Sequence, residues 1–188
     1  MRASQEHMDK IRANLLDAAG QGFREEGYGG LGINALVQKA GMTSGAFYGH
    51  FTSKSEAFQE VVQKGLDDYA ETIERLISEH GDNWPKYFMD YYLGQEHIGN
   101  LSCSCIVPGL SADVTRADVD TQAIYAHSTK NISTKITAGL NRKNPNDAWA
   151  LMALLAGAVM MARCCSDSPT SKEIIQAAKV WAAKIIGG

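Results

Sequence analysis

Between Thr43 and Lys54 the chain gathers hydroxyls (Thr43 and Ser44 at its start), a phenol (Tyr48), an imidazole (His50) and an ammonium (Lys54). No nucleophile stands next to a base in this stretch. Its groups are hydrogen-bond donors of the kind that engage phosphate oxygens and base edges. Small residues, Gly45 and Ala46, sit among them, so a backbone carrying this segment can approach another surface closely. Elsewhere the chemistry is thinner. The five histidines (His7, His50, His80, His97, His127) are scattered and fall in no catalytic motif, so no catalytic residue and no cofactor is assigned. Four thiols occur at Cys103, Cys105, Cys164 and Cys165, without the CxxC spacing of a zinc site. His97 with Cys103 and Cys105 has no metal-site spacing, and no metal is expected.

These groups have to be positioned by helices. Ile11, Leu15, Ala18, Ala19 and Phe23 trace the apolar stripe of an amphipathic helix over 10–26, which Gly27 ends. A short helix over 33–40 follows, with Ile33, Leu36, Val37 and Ala40 inward. Gly41, Met42 and Thr43 make a tight turn, and the next helix is expected from Ser44 to Phe51, capped by Thr43 or Ser44. Two short helices joined by a glycine-containing turn form a helix-turn-helix. On this reading Phe47 and Phe51 are core.

Ser53 and Glu56 have the spacing of a capping box that opens a long helix over 54–78, with Phe58, Val61, Val62, Leu66, Tyr69, Ile73 and Leu76 inward. Asn83 is expected to cap an aromatic-rich helix from Trp84 to Leu93, with Pro85 in its first turn. A loop is expected at Pro108-Gly109, then helices over 118–140, 146–165 (capped by Asn144-Pro145) and from a Thr170–Glu173 capping box to Ile186. No run reads as a strand.

The segment Gly45-x-Phe47-Tyr48-x-His50-Phe51-x-x-Lys54, together with Ala18-Ala19, Phe23, Gly27-Tyr28 and Gly41, resembles the DNA-binding head of the TetR family of transcriptional regulators. The likeness covers residues 10–64. It implies an all-α protein with a three-helix helix-turn-helix head (residues 1–53) and a larger helical ligand-binding and dimerisation body (residues 54–188). It also implies DNA contacts by Thr43, Ser44, Gly45, Ala46, Tyr48, His50 and Lys54, with Tyr48 and Lys54 as phosphate anchors. Two positions depart from the family pattern. Leu31-Gly32 stands where a hydroxyl usually caps the second helix, and Gly49 lies inside the expected recognition helix.

The helix around 148–162 is apolar on every side, which calls for burial on every side. With the last helix (Ile174, Ala178, Trp181, Ile185) it is expected to form a homodimer interface, in keeping with the resemblance. An effector pocket is expected in the body among Trp84, Tyr87, Phe88, Tyr91, Cys103, Cys105, Met152 and Leu155, with Tyr92, Leu101, Ile106 and Leu110 nearby. Some TetR-like regulators sense electrophiles through a cysteine placed like Cys103 and Cys105; the competing reading is two small buried hydrophobes.

Net charge is −3, and residues 1–64 carry seven basic and seven acidic side chains. Charge therefore gives DNA binding no support, and the motif has to carry it. No basic stretch precedes an apolar run at the N-terminus, and the longest apolar run, 148–162, is shorter than a membrane span. The expectation is a cytoplasmic, non-enzymatic regulator: a repressor that leaves a double-stranded DNA operator when an unidentified small-molecule or thiol-reactive effector binds. The alternative is a helical interaction protein that has lost DNA binding.

Overall fold

The computed structural model describes residues 5–141, 143–166 and 168–187, and no strand occurs among them. Residues 1–4, the start of the expected head, lie outside that set. The helices are α1 (Gln5–Gly30), α2 (Ile33–Lys39), α3 (Ser44–Tyr48), α4 (Lys54–His80), α5 (Trp84–Tyr92), α6 (Gln95–Gly99), α7 (Ile106–Val114), α8 (Val119–Gly139), α9 (Pro145–Cys164) and α10 (Pro169–Gly187), with a 3₁₀ turn at Gly81–Asn83. This is the all-α architecture expected from the apolar periodicity.

The head forms because short apolar faces converge on one small core. Leu15, Ala19 and Phe23 of α1 meet Leu36 and Val37 of α2, Phe47 of α3 and Phe51, all buried. Gly27 does stop the regular part of α1. Its φ of 72° and ψ of 166° break the helix, and a further turn follows to Gly30. Thr43 caps α3 by accepting from the Ala46 N–H at 3.3 Å. Ser53 does the same for α4, accepting from the Glu56 N–H at 3.1 Å. Glu56 reaches back to Thr52 instead of Ser53, so the capping box is closed one residue upstream of its expected place.

Helix α4 joins the two halves. Its first turns bury Ala57, Phe58, Val61 and Val62 in the head, and its later turns bury Leu66, Tyr69, Ile73 and Leu76 in the body. A division at 53/54 thus falls just before an element that both halves share. The body packs α4 on α8, and α9 on α8 and α10. Trp84 ties α5 to the end of α8 by donating its indole N–H to the Gly139 carbonyl at 2.9 Å.

Several expected boundaries shift. Helix α3 ends at Tyr48, three residues early, and Gly49 is its C-cap instead of an interior residue. The helix-interior penalty for glycine therefore does not apply at Gly49. There is no loop at Pro108-Gly109. Pro108 sits in the first turn of α7, where its missing N–H has no intrahelical partner to lose. The Asn83 side chain makes no capping bond. The last helix is capped by Ser168, which accepts from the Ser171 N–H at 3.2 Å, so the Thr170–Glu173 box is not used.

Helix α9 is 20 residues of mean hydropathy 1.4, long and apolar enough by length and composition to cross a bilayer, which the 15-residue reading of the sequence missed. Here one of its faces (Leu151, Met152, Leu155, Val159) is packed in the core, while Trp149, Met160 and Met161 are exposed on the chain taken singly. The buried face is the one expected against the chain's own core, and the exposed face is the one expected against a second copy. In α10, Ala178 and Ala182 face inward and Trp181 points out, 57% exposed.

Candidate nucleic-acid interface

The residues expected to touch DNA lie on the outer face of the helix-turn-helix. Tyr48 is 59% exposed, and its ring stands edge-on against buried Phe47 at 5.4 Å. One side of the phenol is thereby held by the core while the hydroxyl faces solvent. Gly45 and Gly49 are exposed, and a side chain on Gly45 would meet only the Thr43 hydroxyl, at 3.8 Å. Ala46 is half-buried beside them. Ser44 is not free: its hydroxyl donates to the Asn34 Oδ1 at 3.1 Å. Asn34, exposed on α2, therefore belongs to the same polar surface, and nothing in its local sequence singled it out. His50 is half-buried next to this face.

Lys54 is the first residue of α4, and its ammonium lies 4.4 Å from the centre of the Tyr28 ring. Tyr28 is wedged between Phe23 at 5.8 Å and Phe58 at 4.9 Å, so the ring under the ammonium cannot drift. This cation–π seat sets the position of the charge. Sequence reading quoted Tyr28 as part of the family pattern without giving it this role; an aromatic next to a helix-ending glycine was the available signal.

The structure also accounts for a head that is neutral by count. Arg12 is paired with Glu60 and lies over the Phe51 ring, Lys39 is paired with Glu25 at 2.7 Å, and Lys10 with Glu6 at 3.2 Å. Three of the seven acidic side chains, Glu6, Glu25 and Glu60, are thus engaged by cations, and Lys54 has no carboxylate partner among the described residues. A local positive charge can persist in an electroneutral head.

Under the head lies a cavity of about 180 Å³, bounded by Arg24 of α1, Gly65 and Tyr69 of α4, Tyr92 of α5 and the turn at Cys103–Cys105. Of the residues expected to form an effector pocket, Tyr91, Cys103 and Cys105 line it, with Tyr92 and Ile106. The others do not join them. Trp84, Phe88, Met152 and Leu155 are closed into the core, and Tyr87 is on the surface, stacked on His80 at 3.6 Å. Aromatic composition could not distinguish these fates, because core and pocket draw on the same residue types.

The turn is held by His97, whose Nε2 accepts the Cys105 N–H at 3.3 Å. Burial, with Arg163 adding to it, lowers the His97 pKa from 6.5 to about 4, so the ring is neutral at physiological pH. That nitrogen is occupied as an acceptor, which argues against the His97–Cys103–Cys105 metal arrangement. Burial also pushes the Cys105 thiol up, against the pull of the Tyr92 hydroxyl, the Val107 N–H, Arg24 and Arg163. Cys103 is exposed at the mouth. The two thiols therefore differ, Cys103 being exposed and Cys105 half-buried.

Residues 15–61 match the family described as bacterial regulatory proteins, tetR family. The HTH-type transcriptional regulator YfiR of Bacillus subtilis is 29% identical over 83 residues, 44% of this chain and 40% of YfiR. The HTH-type transcriptional activator FasR of Mycolicibacterium smegmatis is 31% identical over 75 residues, 40% of this chain and 34% of FasR. The chain thus aligns with less than half the length of these relatives. Among solved structures, E. coli NemR in its reduced form superposes with a TM-score of 0.74 at 21% identity, covering 90% of this chain and 95% of NemR. That last likeness speaks for the fold.

Proposed function

We propose that the chain, whose residues 15–61 match the tetR family of bacterial regulatory proteins, is a TetR-type, ligand-responsive, DNA-binding repressor that works as a homodimer in the cytoplasm. The observation that carries this reading is the pair of donors on one face. The Lys54 ammonium is seated on Tyr28 at the start of α4, and the Tyr48 hydroxyl stands free at the end of α3. Both suit phosphate oxygens, and the backbone N–H groups at the start of a long helix favour the same anion. Thr43, Ser44, Gly45 and Ala46 then lie toward the base edges, with Asn34 exchanging its bond to Ser44 for one to DNA, and His50 beside them. Donors of this kind, with no base-activated nucleophile, support binding and not catalysis.

Dimerisation is assigned to α9 and α10. Met160, Met161, Val180 and Trp181 are exposed on these adjoining helices, while Ala150, Ala153 and Gly157 leave room for close approach. An apolar patch of this kind on a regulator fits a second copy related by a two-fold axis, which sets two heads to read successive major grooves about 34 Å apart. The effector is assigned to the cavity under Arg24, where thiols at Cys103 and Cys105 also admit a thiol-reactive compound. The head of residues 1–53 and the body of residues 54–188 communicate through α4.

Selection of bound sequences from random duplex DNA, followed by gel shift, tests the reading. The Tyr48→Phe/Lys54→Ala double variant is expected to bind the selected site at least about tenfold more weakly. Unchanged affinity would remove the anchors, and failure to select any sequence at low salt would leave the interaction-protein reading.

A further inference from the structure

Arg24 is a head cation turned toward the body. Its side chain runs in a slot made by two glycines. A Cβ at Gly20 would stand 2.9 Å from the guanidinium, and one at Gly109 would stand 3.6 Å from the Arg24 stem. Burial lowers the pKa of the guanidinium, and Cys105 and Asp68 raise it in part. It still carries its charge at any physiological pH. Its Nε is buried and has no hydrogen-bond partner among the described residues. Asp68 lines the same cavity, but Lys64 holds it at 2.8 Å. Across the cavity the Tyr92 hydroxyl is buried, with the Cys105 thiol, a weak acceptor, beside it.

Two buried donors, one of them charged, face one small space. Buried donors left unmatched are costly, and a charged donor is matched best by an anion that can accept two bonds from a guanidinium. The cavity measures about 180 Å³. It opens to solvent beside the exposed Cys103, and it has room for a two- to four-carbon carboxylate next to the donors. The lining is mixed: Thr72, His97 and Ser104 are polar, while Gly65, Tyr69 and Ile106 offer an apolar patch for a short alkyl end.

We propose that this cavity binds a small monocarboxylate, with Arg24 as its counter-ion and Tyr92 as a second donor. The proposal names the effector class of the regulator reading and rests on it. Because Arg24 belongs to α1 and Gly65 and Tyr69 to α4, the ligand would bridge the two helices that carry the head.

The test uses the full chain without DNA. Acetate, propionate, butyrate and pyruvate are titrated by calorimetry and thermal shift, with propionamide as the neutral isostere. At least one carboxylate is expected to bind saturably while propionamide does not. Arg24→Gln should weaken it about tenfold or more, and Tyr92→Phe should weaken it severalfold. If Arg24→Gln fails to fold, the Tyr92→Phe variant and the acid–amide comparison decide. No response to any of the four acids, an equal response to propionamide, or full affinity in whichever of Arg24→Gln and Tyr92→Phe is folded would overturn the site. Loss of the regulator reading appears separately, as failure to select DNA, and would leave these isotherms untouched.

Discussion

Replacing Lys54 by Met separates a DNA contact from a structural one. The substitution keeps the alkyl stem over Tyr28 and removes the charge. Two structural terms then oppose each other. The ammonium lies 4.4 Å from the Tyr28 ring, which at a half-exposed site stabilises by about 0.5–1 kcal/mol. The same cation is the first residue of α4, where the helix dipole disfavours positive charge by about 0.3–1 kcal/mol. The terms nearly cancel, so the folding free energy should move by less than about 0.5 kcal/mol. On DNA nothing offsets the loss. One phosphate contact goes from each subunit and two from the dimer, so the slope of log K against log salt should fall by about 1.8. At about 1–1.5 kcal/mol for each charged contact, affinity near physiological salt should drop roughly 30- to 150-fold. Fluorescence anisotropy on the selected operator between about 50 and 300 mM salt reads the slope, and urea denaturation reads the stability. An unchanged slope would refute the anchor assignment. A large loss of stability would show that Lys54 is there to hold the head together.

Three further outcomes follow from the packing. Gly65→Ala would place a Cβ 2.9 Å from the branched Ile106 Cβ, which cannot swing aside, so stability should fall by about 1–3 kcal/mol in urea. His97 is neutral in the fold because burial brings its pKa from 6.5 to about 4; the unfolded chain takes up the proton first. Its contribution is therefore complete above about pH 6.5 and lost as pH falls toward 4, to a total of about 3 kcal/mol, and a urea series across that window should flatten in His97→Gln. Trp181→Glu puts a charge on the exposed face of α10 and, if α9 and α10 form the dimer, sedimentation should show dissociation about a hundredfold easier with unchanged helix content.

The sequence made the helices legible wherever one face alone is buried. The inward set of α4, from Phe58 to Leu76, was readable because a 3.6-residue period over 27 residues has few other interpretations. Caps with a hydroxyl or carboxamide next to a clean apolar run were also readable, at Thr43, Ser53 and Asn144. What failed were positions where a partner distant in sequence decides. Asn34 becomes part of the recognition surface through Ser44, ten residues away. Tyr28 becomes a seat for Lys54 only when α1 and α4 are packed. Arg24 looked like one more polar residue on α1, yet it is drawn into the body by glycines at 20 and 109 that no local pattern connects. Trp84 and Phe88, expected to line a pocket, are closed into the core for the same reason: long-range packing, not composition, decides which aromatic rings are sealed.

The placement of the cavity bears on how an occupant there would be felt at the DNA. Tyr69, in the cavity wall, and Lys54, at the recognition face, are on the same unbroken helix. Fifteen residues at 1.5 Å each separate them by about 22 Å. A rigid tilt of about 5° about the cavity end displaces the Lys54 end by about 2 Å, more than a hydrogen bond tolerates. In a two-fold dimer both heads move, so the spacing between them changes by up to twice that amount. The α4 start is also tied to the body through Ser55, whose hydroxyl donates to the Asp118 Oδ2 at 2.8 Å, and Asp118 caps α8. A tilt of α4 must therefore either break that bond or carry the start of α8 with it. On the proposed function, an effector needs only a small bias in the angle between α1 and α4 to detach the phosphate anchors, and a cavity with Arg24 on one wall and Tyr69 on the other lies where that bias has its longest lever.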